Sequence, residues 1–145
     1  MTIHSCVEKI EKLWLRCPGA SLEILRNIEL SMGLLFPSDF IEFMQWSSGG
    51  EAKLPNVYLS LWNANDIVML NDSYQIQKYL GKNVLGIGSD GGPICFLLDY
   101  RSLPGIGFSS INFGDLEPNE IKNLAPSFME GLELAISGLI VDDKL

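Results

Sequence analysis

Gly86-Ile87-Gly88-Ser89-Asp90-Gly91-Gly92-Pro93-Ile94-Cys95-Phe96-Leu97-Leu98-Asp99 admits two readings with opposite consequences for the fold. Its first six residues spell G-x-G-x-x-G, the phosphate-cradling loop of a dinucleotide fold, which would imply a parallel α/β protein with a bound cofactor. Such a loop must open a helix whose N-terminal amides face the pyrophosphate. Here Gly92-Pro93 and the apolar run Ile94 to Leu98 follow, and these make a strand. The glycines therefore belong to a hairpin or bulge, where they supply positive φ, and no nucleotide cofactor is expected.

Outward from this hairpin the short-period pattern continues. Val84 to Ile87 and Phe108 to Phe113 are short apolar or alternating runs with glycine-rich connections that suit antiparallel hairpins. Upstream, Val57, Leu59 and Leu61 alternate with Tyr58, Ser60 and Trp62, a strand with one buried side. Around this meander the period lengthens to that of a helix. From Ser5 to Leu15, Val7, Ile10, Leu13 and Trp14 form an apolar stripe opposite Glu8, Lys9, Glu11 and Lys12. Pro18-Gly19 breaks that helix, and Ser21 can cap a second with Leu22, Leu25, Ile28 and Met32 inward and Gly33 at its end. Leu35-Phe36-Pro37-Ser38-Asp39 starts a third, burying Phe40, Phe43 and Met44, with Trp46 as an open fourth member. Ser47-Ser48-Gly49-Gly50 is a loop by its turn chemistry. Asn63 or Asn65 could cap a helix through Ile67, Val68 and Leu70, whereas Tyr74 to Leu80 is compact but ambiguous. Pro118 and Pro126 each mark a helix start, the second opening Ser127 to Ser137 with Phe128, Leu132 and Ala135 inward. Helices at both ends of a mainly antiparallel sheet define an α+β fold. With no repeat, low-complexity tract or linker, residues 1–145 are expected to form one domain.

At 145 residues, 47% of them hydrophobic, the chain is long enough to pack a core without disulfide or metal staples. Ten Lys and Arg against 18 Asp and Glu leave a net charge of -8. No helical face gathers the basic residues, which argues against direct nucleic-acid binding. The start, Met1-Thr2-Ile3-His4-Ser5-Cys6, lacks the basic and apolar regions of a secretory signal, and the apolar stretch Leu134 to Val141 falls short of the roughly 20 residues a membrane span needs. Cys6, Cys17 and Cys95 are odd in number without a C-x-x-C pair, as in reduced cytosolic thiols, so a soluble cytoplasmic protein is expected.

The charge is uneven. Residues 1–82 hold nine acidic and seven basic side chains, whereas residues 83–145 hold nine and three. Solubility explains this blandly; an acidic face for a basic partner, whose capture it would speed, explains it more sharply. Catalytic groups are scarce. The sole histidine, His4, sits near a terminus, where an imidazole-centred triad or zinc site is hard to assemble. Cys95, between Ile94 and Phe96, reads as a small buried hydrophobe without a base partner. Asp90, Asp99, Asp115 and Glu117 have no spacing that pairs them on a helix or in a calcium loop, and turn-forming or capping roles explain each. Trp14, Trp46 and Trp62, with apolar neighbours, read as core. No enzymatic activity, metal or cofactor is expected.

Several blocks nevertheless share an order. Leu35-Phe36-Pro37-Ser38-Asp39-Phe40-Ile41-Glu42-Phe43 precedes Gly49-Gly50, then Tyr58-Leu59-Ser60-Leu61-Trp62, Asn71-Asp72-Ser73-Tyr74, and Gly86 to Gly92 with Leu98-Asp99-Tyr100. In order and spacing, over about residues 22–136, they resemble the SMI1/KNR4 family of the SUKH superfamily; the G-S-D-G-G turn with its following strand is the most specific piece. Ser48 stands where the family often has Asn, and Pro93 where it often has Gly or an acidic residue. The resemblance implies an α+β domain without catalysis. Bacterial members are similar to immunity proteins that bind and neutralise a cognate polymorphic toxin, often a nuclease; fungal members resemble regulators of cell-wall glucan synthesis. The expected partner is therefore a basic toxin domain, with a regulatory scaffold linked to cell-wall synthesis or signalling as the alternative. Asp90, Asp115 and Glu117, in turns of the acidic half where side chains can reach a partner, are the expected contact residues. The oligomeric state is open.

Overall fold

The computed structural model describes residues 3–145; Met1 and Thr2, where the reading of the N-terminus began, lie outside them. Three helices lead: α1 (Ile3–Ile10), α2 (Leu22–Met32) and α3 (Ser38–Trp46). Strands β1 (Gly50–Lys53) and β2 (Tyr58–Leu61) precede helices α4 (Ala64–Ser73) and α5 (Ile76–Leu80). Then come β3 (Val84–Ser89), β4 (Ile94–Asp99), β5 (Gly107–Asn112), β6 (Lys122–Ala125) and helix α6 (Phe128–Ile136). The strands lie in the order β1-β2-β3-β4-β5-β6, each antiparallel to its neighbours. The expected α+β architecture, an antiparallel meander flanked by terminal helices, is the one present.

Both faces of the meander are covered. On the first, Leu59, Leu61, Leu85, Ile87, Phe96, Leu98 and Phe108 belong to one cluster with buried residues of α1, α2, α3 and α6. Its centre is aromatic: Phe128 sets its ring edge-on to Phe40 at 5.1 Å and to Phe43 at 5.5 Å, and Phe96 stacks on Phe108 at 5.4 Å. On the second face, Val84, Cys95, Leu97 and Ile111 meet Ile76 and Leu80 of α5, joined by Leu116 and Ile121 from the β5–β6 connection. Burial on both sides accounts for the continuous apolar run from Ile94 to Leu98, since no position of β4 faces water until Asp99.

Local chemistry sets most boundaries as expected. Ser21 caps α2 by accepting from the Ile24 amide at 3.2 Å, and Gly33 ends it at φ +70° with its amide on the Glu29 carbonyl. Of the two candidate caps for α4, Asn63 serves, its side chain accepting from the Asn65 amide at 3.0 Å. Four expectations are corrected. Helix α1 ends at Ile10 and buries Ile3, Cys6 and Ile10; beyond it the chain turns, so Trp14 goes in and Leu13 out. In α2, Leu22 is exposed and the third buried position is Glu29, whose carboxylate accepts from Arg26 Nη1 at 2.7 Å and from the Phe36 amide at 2.6 Å. In α4, Val68 faces outward, and the inward position beyond Ile67 is Asn71. Pro118 opens only a single 3-10 turn (Pro118–Glu120) before β6. That strand and β1 are four-residue edges too short to show a period, and Lys53 and Lys122 on them suit solvent-facing edges.

Candidate functional site

The glycine stretch sits at the middle of the sheet. Register shifts between Gly86 and Gly88, a bulge in β3 of the kind the glycines predicted. Gly86 is where a helix is tied to this bulge. Asn71, fully buried on α4, donates to the Gly86 carbonyl at 2.9 Å and to the Ile67 carbonyl at 2.8 Å, while its Oδ1 accepts from the Gly86 amide at 2.8 Å and from Gln77 Nε2 at 3.0 Å. Gln77 Nε2 also donates to the Val84 carbonyl at 2.8 Å. A Cβ at position 86 would stand 3.1 Å from the Trp62 ring and 3.2 Å from Asn71 Oδ1, so glycine lets the amide come this close. Asn71 thus satisfies both backbone groups of the bulge and fixes the α4–α5 corner, turned by Gln75 at φ +58°, against the second face.

That corner carries rings. Tyr74, which caps α4, stacks on Phe113 at 4.3 Å and on Trp62 at 5.9 Å, with interplanar angles of 26° and 10°. Tyr79 on α5 and Phe113 line a cleft of about 370 Å³ with Gly114, Asp115, Leu116 and Glu117. Tyr74 and Tyr79 are 43% and 49% exposed, unlike the closed rings of the first face. Residues 113–121 form the opposite wall and contain Asp115, Glu117 and Glu120 without a basic residue. Their backbone is held firmly. Phe113 donates its amide to the Pro93 carbonyl at 2.8 Å, Gly114 to Asn112 Oδ1 at 2.8 Å, and Asp115 to the Asn112 carbonyl at 2.9 Å. Arg101, forked on Asp99 through two 2.9 Å bonds, reaches the Pro118 carbonyl at 3.1 Å.

The structure therefore brings two of the three expected contact residues together and gives the third a second occupation. Asp115 and Glu117 share the cleft. Asp90 lies in the adjacent β3–β4 turn, half-buried, and its Oδ1 accepts from the amides of Gly92 at 2.9 Å and Ile94 at 3.1 Å. Its carboxylate also meets Asp142, whose carboxyl is pushed above its usual value by the hydrogen bond with Asp90, then by burial and by the charges of Asp90 and Asp143. The β1–β2 turn joins the same end of the sheet, where the Asp142 amide donates to the Asn56 carbonyl at 3.0 Å. Missed in the sequence were the rings and Asp142. Trp62, read as core, packs against both apolar clusters and is half-buried at the back of the stack. The available signal was aromatic residues set directly beside turn formers, in Ser73-Tyr74 and Phe113-Gly114-Asp115.

The remaining motif residues work in packing. Trp14 Nε1 donates to the Gly49 carbonyl at 3.1 Å, and Gly49 and Gly50 hold φ of +77° and +113° where a Cβ would strike neighbouring backbone or the Trp14 ring. Ser48 Oγ accepts from the Ala64 amide at 3.0 Å and donates to Asn63 Oδ1 at 3.3 Å, tying this loop to the start of α4. Cys95 is buried in β4, and burial raises its pKa; Cys6 is pushed up to about 12 by burial and by Glu133, 3.4 Å away. Both thiols stay protonated, and a protonated thiol is a poor nucleophile. Among the described residues, no three His, Cys, Asp or Glu side chains are grouped to hold a metal ion, and no helix is long and apolar enough to cross a membrane.

No curated protein matches the chain. The family model of the SMI1 / KNR4 family (SUKH-1) does, over residues 19–134, a span that takes in the capped α2, the Gly49-Gly50 loop, the Asn71 clamp, the β3 bulge and the cleft. With that match across most of its length, on the fold just described, the chain belongs to the SMI1/KNR4 family, SUKH-1.

Proposed function

We propose that this protein is a non-catalytic binding module of the immunity type, which neutralises a toxin by covering the toxin's basic, substrate-binding surface. The observation that carries this reading is the convergence of negative charge on one end of the sheet. There the β3–β4 turn with Asp90 lies beside the start of the β5–β6 connection, which carries Asp115 and Glu117, and meets Asp142 of the C-terminal segment. A nuclease-like toxin must carry a cationic groove for phosphates, and an acidic surface is attracted to such a groove over a distance set by the ionic strength. Occlusion needs shape and charge only. Family membership supports the same reading.

Co-expression with the product of the adjacent gene tests it. The expected result is restored growth and a complex that copurifies; copurification without growth rescue would replace neutralisation by a regulatory scaffold role. Reversing the charges of Asp90, Asp115 and Glu117 together should slow association at low salt and weaken its salt dependence. Unchanged association rates would remove these residues from the contact.

A further inference from the structure

We propose that the cleft between α5 and the Phe113–Ile121 connection receives an arginine side chain of the partner protein, its guanidinium lying on the Tyr79 and Phe113 rings and paired with Asp115 or Glu117. This rests on the binding reading above and gives the partner's contact a chemical identity.

Three features of the cleft select that group. The rings are half open to water although apolar residues lie directly beneath them, and partly exposed tyrosines on a rigid base are typical anchors of protein interfaces. The walls are chemically unlike: Tyr79 of α5 on one side, and Phe113 with Asp115 and Glu117 on the other. A planar cation satisfies both at once, by stacking on the ring and forking onto a carboxylate, which a lysine ammonium does less well. A nucleobase could use the rings, but its phosphates would meet the carboxylates. Finally, the Tyr79 ring already takes a cation on its face, since Lys78 Nζ stands 5.5 Å from its centroid. The bonds from Asn71, Gln77, Arg101 and Pro93 preset both walls, so little ordering is needed on binding.

Two measurements test this. In the first, isotope-labelled protein is titrated with N-acetyl-arginine amide, N-acetyl-lysine amide and cellotriose, and resonances of Tyr79, Phe113, Asp115 and Glu117 are followed. Saturable shifts with the arginine probe are expected, with binding about tenfold weaker for lysine and lost in Tyr79→Ala but kept in Tyr79→Phe. Shifts scattered over the surface, or confined to the cleft but caused by the sugar, would overturn the assignment. In the second, affinity for the copurified adjacent-gene product is compared among variants. Tyr79→Ala and the pair Asp115→Asn with Glu117→Gln should each weaken the complex by at least about tenfold. A complex with the wild-type chain that ignores these changes overturns the arginine site and leaves the binding function intact. Failure of the wild-type chain to bind that product at all counts against the proposed function, and the probe titration then decides the cleft on its own.

Discussion

On the first face of the sheet, Phe40, Phe43, Phe96, Phe108 and Phe128 interlock and none is more than 2% exposed; on the second, Tyr74 and Tyr79 stand nearly half open over a small cluster. The difference is one of cover. Five helices contribute to the first cluster, α4 among them through Ala64 and Ile67, whereas the second has only α5 and the β5–β6 connection. Rings that fill the first core supply stability through area and edge contacts, and their loss leaves a hole. Rings on the second face are held in place by polar bonds from beneath, so their outward surfaces remain free for another molecule. The same chemical group is sealed into the core on one side and left half open to water on the other.

The largest effect that could break this comparison lies on the first face. Phe128→Ala should cost about 3–5 kcal/mol in a chemical denaturation experiment, because three phenylalanine rings lose their shared neighbour. A cost as small as that of a surface change would mean that the aromatic centre is not where stability resides. Next comes the polar clamp. Asn71→Ala should cost about 3 kcal/mol by the same measurement, since it strands the Gly86 amide and carbonyl in a buried site. It should also shift the resonances of Tyr74 and Phe113, and unshifted rings would show that the clamp does not position them.

The clamp also marks the limit of what sequence could disclose. Periodicity found the central strands and the longer helices, because Val57 to Leu61 and Ile94 to Leu98 are governed by burial alone. It could not find Asn71, a polar residue on an inward position, since its partners Gly86 and Gln77 are fixed only by the fold. Glu29 escaped for the same reason, paired with Arg26 and the Phe36 amide. Edge strands β1 and β6 owe their place to neighbours and not to their own residues. Of the candidate site, charge counting located the acidic half and so Asp115 and Glu117. The rings facing them come from α5 and from the end of β5, segments brought together by the meander, and no local pattern announces that meeting.

Smaller effects sharpen the comparison. Tyr79→Ala should change folding stability by no more than about 0.5 kcal/mol, and Tyr74→Ala by about 1 kcal/mol through its lost stack on Phe113. Larger losses would place these rings with the core and remove the contrast between faces. The smallest effect belongs to the acidic end. Asp142 has its carboxyl raised in the folded state, which therefore holds the proton more tightly than the unfolded chain does. Stability from this group is greatest at acid pH and is lost as pH rises through its raised folded-state value. Asp142→Asn should thus melt slightly higher than the parent at pH 7, with the gap closing toward pH 4 in a calorimetric series. A gap that widened on acidification would show that Asp90 and Asp142 do not repel.

Every strand here is bonded only to those next to it in the chain. Apart from β2 and β3, which α4 and α5 separate, such a meander closes hairpin by hairpin over short connections, without threading a distant strand into its middle. The stretch from Phe113 to Ile121 joins two consecutive strands at one margin, so its exposed positions can change while Leu116 and Ile121 keep it packed and the strand pairing stays as it was. Such a scaffold lets a lineage, or an engineer, redraw one wall of the cleft by rewriting codons of a single short stretch.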